Sequence, residues 1–138
     1  MWKCEQVIGG ALNVEEAAAL YRASTLAERR PVEDTQRFTR MLAGANLVIV
    51  ARDEDGRLIG ISRSITDGAY STYLSDLAVD SAYQGKGVGK DLIRATREAA
   101  PQAKLILLAA PAAVDYYPHV GFTAHHSAWT MDGPAARA

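Results

Sequence analysis

Leu77-Ala78-Val79-Asp80-Ser81-Ala82-Tyr83-Gln84-Gly85-Lys86-Gly87-Val88-Gly89-Lys90 is the stretch that decides how the rest of the chain is read. An apolar run ends at Val79, and glycines follow at alternate positions (Gly85, Gly87, Gly89). A helical pattern then opens at Val88 and continues through Leu92, Ile93, Ala95 and Ala99 until Pro101 stops it. Glycine lets backbone approach a ligand closely, and the amides that open a helix have no intrahelical partner and carry partial positive charge. Lys86 and Lys90 add full charges. The stretch therefore reads as an anion cradle suited to phosphate or pyrophosphate. A plain strand-to-helix turn would need only one or two glycines.

The segments before the loop read as a meander. Leu47 to Ala51 is short and β-branched, and Asp53-Glu54-Asp55-Gly56 is a turn. Arg57 to Thr66 follows with Ile59, Ile61 and Ile65 alternating against polar neighbours, and Tyr70 to Val79 is the next strand. Further upstream, Lys3 to Ile8 reads as an edge strand. Asn13 caps a helix carrying Val14, Ala17, Ala18 and Tyr21, and a second helix is expected from about Val32 to Leu42, ended by Gly44. Downstream, the spacing predicts a strand over Lys104 to Ala110, a short helix over Ala113 to His119 and a last strand near Phe122 to Met131. Strand, helix, strand across the loop forms a crossover that requires two parallel neighbours, whereas the meander is antiparallel. The expected fold class is α/β, a mixed, mostly antiparallel sheet with a central parallel pair, flanked by helices.

Composition narrows the partners. The 138 residues carry 15 Lys plus Arg against 16 Asp plus Glu, a net charge of -1, without the basic excess of a nucleic-acid binder. A single domain over 1–138 is expected, with a frayed tail at 132–138 and no appended module. The one cysteine, Cys4, rules out an internal disulfide and a Cys-based metal site. No apolar run approaches the ~20 residues of a membrane span. A cytoplasmic setting with no nucleic acid, membrane or metal partner is the expectation. A C-terminal strand left exposed at the sheet edge would be compatible with a homodimer.

Two phosphate motifs fail. In G-x-G-x-x-G, Lys90 stands where the third glycine belongs. In G-x-x-x-x-G-K-[ST], Gln84 replaces the first glycine and Asp91 replaces the magnesium-binding hydroxyl. What fits is Q/R-x-x-G-x-G/A, as Gln84-Gly85-Lys86-Gly87-Val88-Gly89. On this loop, on the hairpin phrase Gly56-Arg57-Leu58-Ile59-Gly60, and on Tyr116-Tyr117-Pro118-His119-Val120-Gly121-Phe122 near the end, the chain resembles the GNAT superfamily of acetyl-CoA-dependent N-acetyltransferases. The resemblance covers nearly the whole chain.

The resemblance implies direct attack of a small-molecule primary amine on the thioester of acetyl-CoA. A protein or peptide amine is the next acceptor class, and a non-catalytic acyl-CoA-binding or sensing domain is the rival. Gln84, Gly85, Lys86, Gly87, Val88, Gly89 and Lys90 would bind the pyrophosphate, and Leu77, Ala78 and Val79 the pantetheine. Tyr117, four residues before Gly121, would protonate the leaving thiolate, unless it is an aromatic packed at a helix end. Tyr73 and Ser75 match positions where those family members that use a side-chain base often carry Glu or His; neither is a natural base, and both would be substrate-side residues. Asp76 is the nearby carboxylate, but strand alternation turns it to the opposite face from Tyr73 and Ser75 unless a bulge changes the phase. Deprotonation through water is the alternative. The acceptor pocket would come from Tyr21 to Glu33 together with Trp129. Ala110 stands where such chains frequently have an asparagine that contacts the cofactor.

Overall fold

The computed structural model describes residues 1–135, so the last part of the expected tail, 136–138, lies outside the described residues. The chain divides into two compact units, Met1–Leu107 and Leu108–Ala138. The first unit holds β1 (Trp2–Val7), α1 (Val14–Ala23), α2 (Thr35–Gly44), β2 (Leu47–Asp53), β3 (Leu58–Thr66), β4 (Ser71–Val79), α3 (Val88–Ala99) and β5 (Lys104–Ile106). The strands form one sheet in the order β1-β2-β3-β4-β5. The first three pairings are antiparallel and β4–β5 is parallel.

Each face of the sheet has its own apolar layer. Alternate residues of β2 send Val48 and Val50 to one side and Leu47, Ile49 and Ala51 to the other. On the first side they meet Ala17, Leu20 and Tyr21 of α1 and Phe38 and Leu42 of α2. The rings of Tyr21 and Phe38 stand edge to face, 5.0 Å apart, an arrangement that adds about 1 kcal/mol to the burial itself. On the second side Val88 and Leu92 of α3 cover the sheet. They come close because β3 carries Gly60 beneath them: a Cβ there would lie 2.9 Å from both Val88 Cγ1 and Leu92 Cδ1.

Asn13 caps α1 as expected, its side chain accepting from Glu16 N at 2.9 Å. The second helix begins later than Val32, because Asp34 provides the cap by accepting from Arg37 N at 3.1 Å. Val32 is a buried core residue of the connector instead.

Two expectations fail downstream. The strand expected over Lys104 to Ala110 is only β5, Lys104–Ile106, because its ladder with β4 ends at the Tyr73–Ile106 pair. Beyond that pair the segment joins no ladder among the described residues to hold it extended. The last strand expected over Phe122 to Met131 does not form: the described residues there join no ladder, and all but Phe122 are exposed. The parallel pair consequently stands at the end of the described sheet rather than at its centre, and the edge strand on which the homodimer expectation rested is absent among the described residues. In the second unit the helix expected over Ala113 to His119 is a 3-10 turn at Pro111–Ala113 followed by α4 (Tyr116–His119).

Candidate functional site

The glycine loop leaves the end of β4. Asp80, buried, stops the strand: it accepts from Ala82 N at 2.9 Å and from Arg57 at 2.8 Å. The Gln84 side chain reaches back and donates to Val79 O at 3.2 Å, which folds the loop onto the strand end. Gly85 and Gly87 then adopt φ of +79° and +101°, a region that side chains rarely enter. Gly87 is the N-cap of α3 with no side-chain cap, so the first amides of α3 have neither an intrahelical nor a side-chain acceptor. A Cβ at Gly85 would meet nothing within 4 Å, and one at Gly87 only the edge of Trp2, at 3.9 Å. The loop mouth is open, and a pyrophosphate fits it in charge and in space.

The side chains divide around that mouth. Lys86 and Lys90 are exposed, with Lys86 Nζ 5.7 Å from the centre of the Tyr83 ring. Val88, Gly89 and Ala78 are buried, which leaves them only backbone groups to offer. Trp2 Nε1 donates to Asp91 at 2.8 Å and ties β1 to the first turn of α3. Asp91 also holds Arg94.

Strand β4 has a second special point. Its register with β3 pairs Arg63 with Asp76 but Ser64 with Leu74, so Ser75 is an extra residue, a β-bulge. Because Arg63 and Ser64 are neighbours facing opposite ways, Asp76 and Leu74 also face opposite ways. This corrects the simple alternation. Leu74 faces α3, while Asp76 and Ala78 face α1 and α2. Tyr73, paired with Ile65, lies on the same face as Asp76. The bulge thus brings Tyr73, Ser75 and Asp76 together. With β5 ending at Ile106, β4 from Leu74 to Val79 has no strand partner on its outer side among the described residues.

Asp76 is the hub of a buried ionic cluster. Its Oδ1 accepts from Arg30 Nε at 2.6 Å, and its Oδ2 accepts from Arg63 Nε and the Tyr21 hydroxyl, each at 2.6 Å. The Asp76 side chain is 0% exposed and that of Arg63 8%. Burial alone would raise the carboxyl's pKa. The charge and hydrogen bond of Arg63, the Tyr21 hydroxyl and Arg30 outweigh it and hold the group below its usual range. Burial, then the neighbouring carboxylate, push the Tyr21 phenol well above its ordinary value. A carboxylate so fully hydrogen-bonded is a weak proton acceptor near neutral pH. Tyr21 and Arg63 carry no motif. The one sequence signal for the cluster is Arg63, in the same alternating phase of the sequence as Ile59, Ile61 and Ile65, opposite a strand containing a single aspartate.

In the second unit, Tyr117 lies in α4 with its ring edge to face with Tyr116 (5.3 Å) and with Phe122 (5.4 Å). Phe122 N donates to Tyr117 O at 3.1 Å, and Gly121 takes φ +100°, closing a compact turn. Burial raises the Tyr116 phenol. His125 and His126 stack 5.5 Å apart, Ser127 bonds His125 Nδ1 at 2.8 Å, and Trp129 is exposed. No group of side chains able to hold a metal occurs among the described residues, nor does a helix long and apolar enough to cross a membrane.

The family model for the GNAT acetyltransferase domain matches residues 16–135. The chain belongs to the GNAT acetyltransferase family. This GNAT chain is 34% identical over 76 residues, 53% of its length, to GCN5-related N-acetyltransferase 2, chloroplastic, of Arabidopsis thaliana. It is 36% identical over 75 residues, 52% of its length, to histone acetyltransferase TAP1 of Glycine max. It spans only 30% and 32% of the length of those two relatives. Among solved structures, its fold matches a GNAT-family acetyltransferase of Streptococcus pneumoniae with a TM-score of 0.73 at 20% identity, covering 96% of this chain and 100% of that one. An aminoglycoside acetyltransferase from an uncultured soil metagenomic sample, solved with trehalose, matches with a TM-score of 0.69 at 23% identity, covering 96% and 95%. This chain's mixed five-stranded sheet flanked by helices is thus a GNAT fold.

Proposed function

We propose that this GNAT chain is an N-acetyltransferase that moves acetyl from acetyl-CoA to a primary amine of a small molecule by direct attack. The observation that carries the reading is the open loop at Gly85 and Gly87, which leads into the uncapped start of α3 beside the unpaired edge of β4. Acetyl-CoA bound there would supply an activated thioester. The amides from Gly85 to Lys90, with Lys86 and Lys90, neutralise the pyrophosphate. Gln84 shapes the loop through its bond to Val79 O. The backbone of Leu77 and Val79 faces the free strand edge, while that of Ala78 between them turns to β3, in step with Asp80 N bonding Ile59 O; an amide on that edge would stabilise negative charge developing on the thioester oxygen.

Tyr73 and Ser75 face the acceptor in this reading. Tyr117 is the general acid for the departing thiolate, a role that rests on its place in the family motif. Deprotonation of the amine falls to water rather than to Asp76, whose oxygens already accept from Tyr21, Arg30 and Arg63. The same observation favours a second reading, a GNAT domain that binds acyl-CoA without turnover. A thiol-release assay separates the two. The enzyme would release CoA from acetyl-CoA in the presence of at least one of phenethylamine, spermidine, sisomicin or a lysine-containing peptide. Calorimetric acetyl-CoA binding with no release across this panel supports the binder, and turnover of the peptide alone moves the acceptor class to proteins.

A further inference from the structure

The connector between α1 and α2, residues 24–34, is held in an unusual way. Thr25 has φ +71°, a left-handed conformation costly for a β-branched residue and retained only where surroundings enforce it. At the other end of the connector, every nitrogen of the Arg30 guanidinium is committed. Its Nε donates to Asp76 Oδ1 at 2.6 Å, its Nη2 to the carbonyl of Ser75 at 2.9 Å, and its Nη1 to the Arg29 carbonyl at 2.8 Å. Ser75 is the bulged residue, so Arg30 bonds the main chain of β4 where its phase changes. Arg63 grips the same point from β3: it donates to Asp76 at 2.6 Å, to Ser75 Oγ at 3.0 Å and to the Met41 carbonyl of α2 at 3.1 Å. Tyr21 completes the set from α1.

One buried and one part-buried arginine around a single carboxylate are more than stability requires, since an apolar cluster of equal volume is often as stable. What the ions add is direction. Planar guanidinium groups fix both the carbonyl and the carboxylate of adjacent residues in one orientation.

We propose that Arg30 is a positioning residue for the acceptor: by bonding Ser75 O and Asp76 together, it locks the α1–α2 connector to the β4 bulge and so sets where Tyr73 and Ser75 stand. The inference rests on the acetyl-transfer reading for its kinetic consequence, but the lock itself does not. The glycine loop lies on the other side of the bulge and is not part of the lock. Arg30 keeps 24% of its side chain exposed, and Asp76 retains Arg63 and Tyr21 without it, so replacing Arg30 leaves the buried pair intact.

The test compares Arg30→Lys with Arg52→Ala in the full chain. Lysine keeps the charge but cannot bridge two acceptors in a fixed plane. Arg52 also makes an ion pair with α1, donating to Glu16 at 2.9 Å and to the Gly56 carbonyl at 2.9 Å, but those bonds lie away from the connector and β4. For Arg30→Lys we expect the KM of the panel amine turned over fastest to rise at least about tenfold while the Kd for acetyl-CoA stays within about twofold, and Arg52→Ala to change neither. Amide exchange by mass spectrometry should quicken in residues 24–33 and 73–77 together in Arg30→Lys, with 84–99 unchanged. Exchange that quickens in 24–33 alone overturns the lock, as does an Arg52→Ala effect equal to that of Arg30→Lys. If wild type turns over no amine, the acetyl-transfer reading fails, and the exchange experiment still decides the lock.

Discussion

Replacing Asp76 by asparagine isolates what the carboxylate does. Asparagine has nearly the same shape, but it offers one acceptor oxygen where aspartate offers two, and its amide would face a guanidinium. In the folded protein Asp76 serves three donors at 2.6 Å with no solvent access. Arg63, 8% exposed at its side chain, would be left as a buried charge without a counter-ion. Breaking such a pair from one side costs about 3–5 kcal/mol, a large share of the ~5–15 kcal/mol available to a domain. At a urea m-value of about 2 kcal/mol/M, the unfolding midpoint should fall by roughly 2 M.

The wild-type protein should show the same interaction in its pH dependence. The folded state holds the Asp76 carboxyl below its ordinary range, so as pH falls the unfolded chain takes up this proton first. The contribution is complete above the unfolded pKa of about 3.9 and is lost as pH drops through the folded value. Asp76→Asn should lack that acid-dependent component. The assay is urea unfolding followed by tryptophan fluorescence from pH 7 down to pH 3. A midpoint shift below about 0.5 M would refute the buried-hub account. So would a turnover loss of ~10²-fold or more with stability unchanged, because that outcome makes Asp76 a proton-transfer group.

Gly87→Glu places a carboxylate at the loop mouth and forces a side chain into φ +101°, so acetyl-CoA binding should vanish in calorimetry while the protein stays folded by circular dichroism; unchanged affinity would remove the cradle assignment. Tyr117→Phe keeps a ring between Tyr116 and Phe122 and removes only the phenol, so turnover should fall by about 10²-fold with acetyl-CoA affinity within about twofold, whereas equal activity would end the general-acid role. Gly60→Val inserts a side chain where even a Cβ would lie 2.9 Å from Val88 and Leu92. It should lower stability by about 1–3 kcal/mol in urea unfolding and weaken acetyl-CoA binding by lifting the start of α3; an unperturbed variant would show that the close approach of α3 is not needed.

Local chemistry was readable from the residues in order. The Asn13 cap, the meander up to Val79, the glycines at 85 and 87 and the apolar stripe of Val88, Leu92 and Ile93 all act within a few residues of one another, so periodicity and glycine placement reveal them. That local chemistry, with the family ending at Tyr116 to Phe122, determined the fold class and the place of the open glycine loop that leads into α3. Only the tertiary structure decided the face of β4 that Asp76 occupies, because the Ser75 bulge arises from cross-strand register with β3 and has no mark in the β4 sequence. Tertiary structure likewise gathered Tyr21, Arg30 and Arg63, which lie 55, 46 and 13 positions from Asp76, into one cluster. It also cut β5 short at Ile106 and left 122–131 outside the sheet, since a strand exists only where a neighbouring backbone accepts its hydrogen bonds. Pattern along the chain carries propensity, whereas partners distant in sequence decide register, charge pairing and which edge remains free.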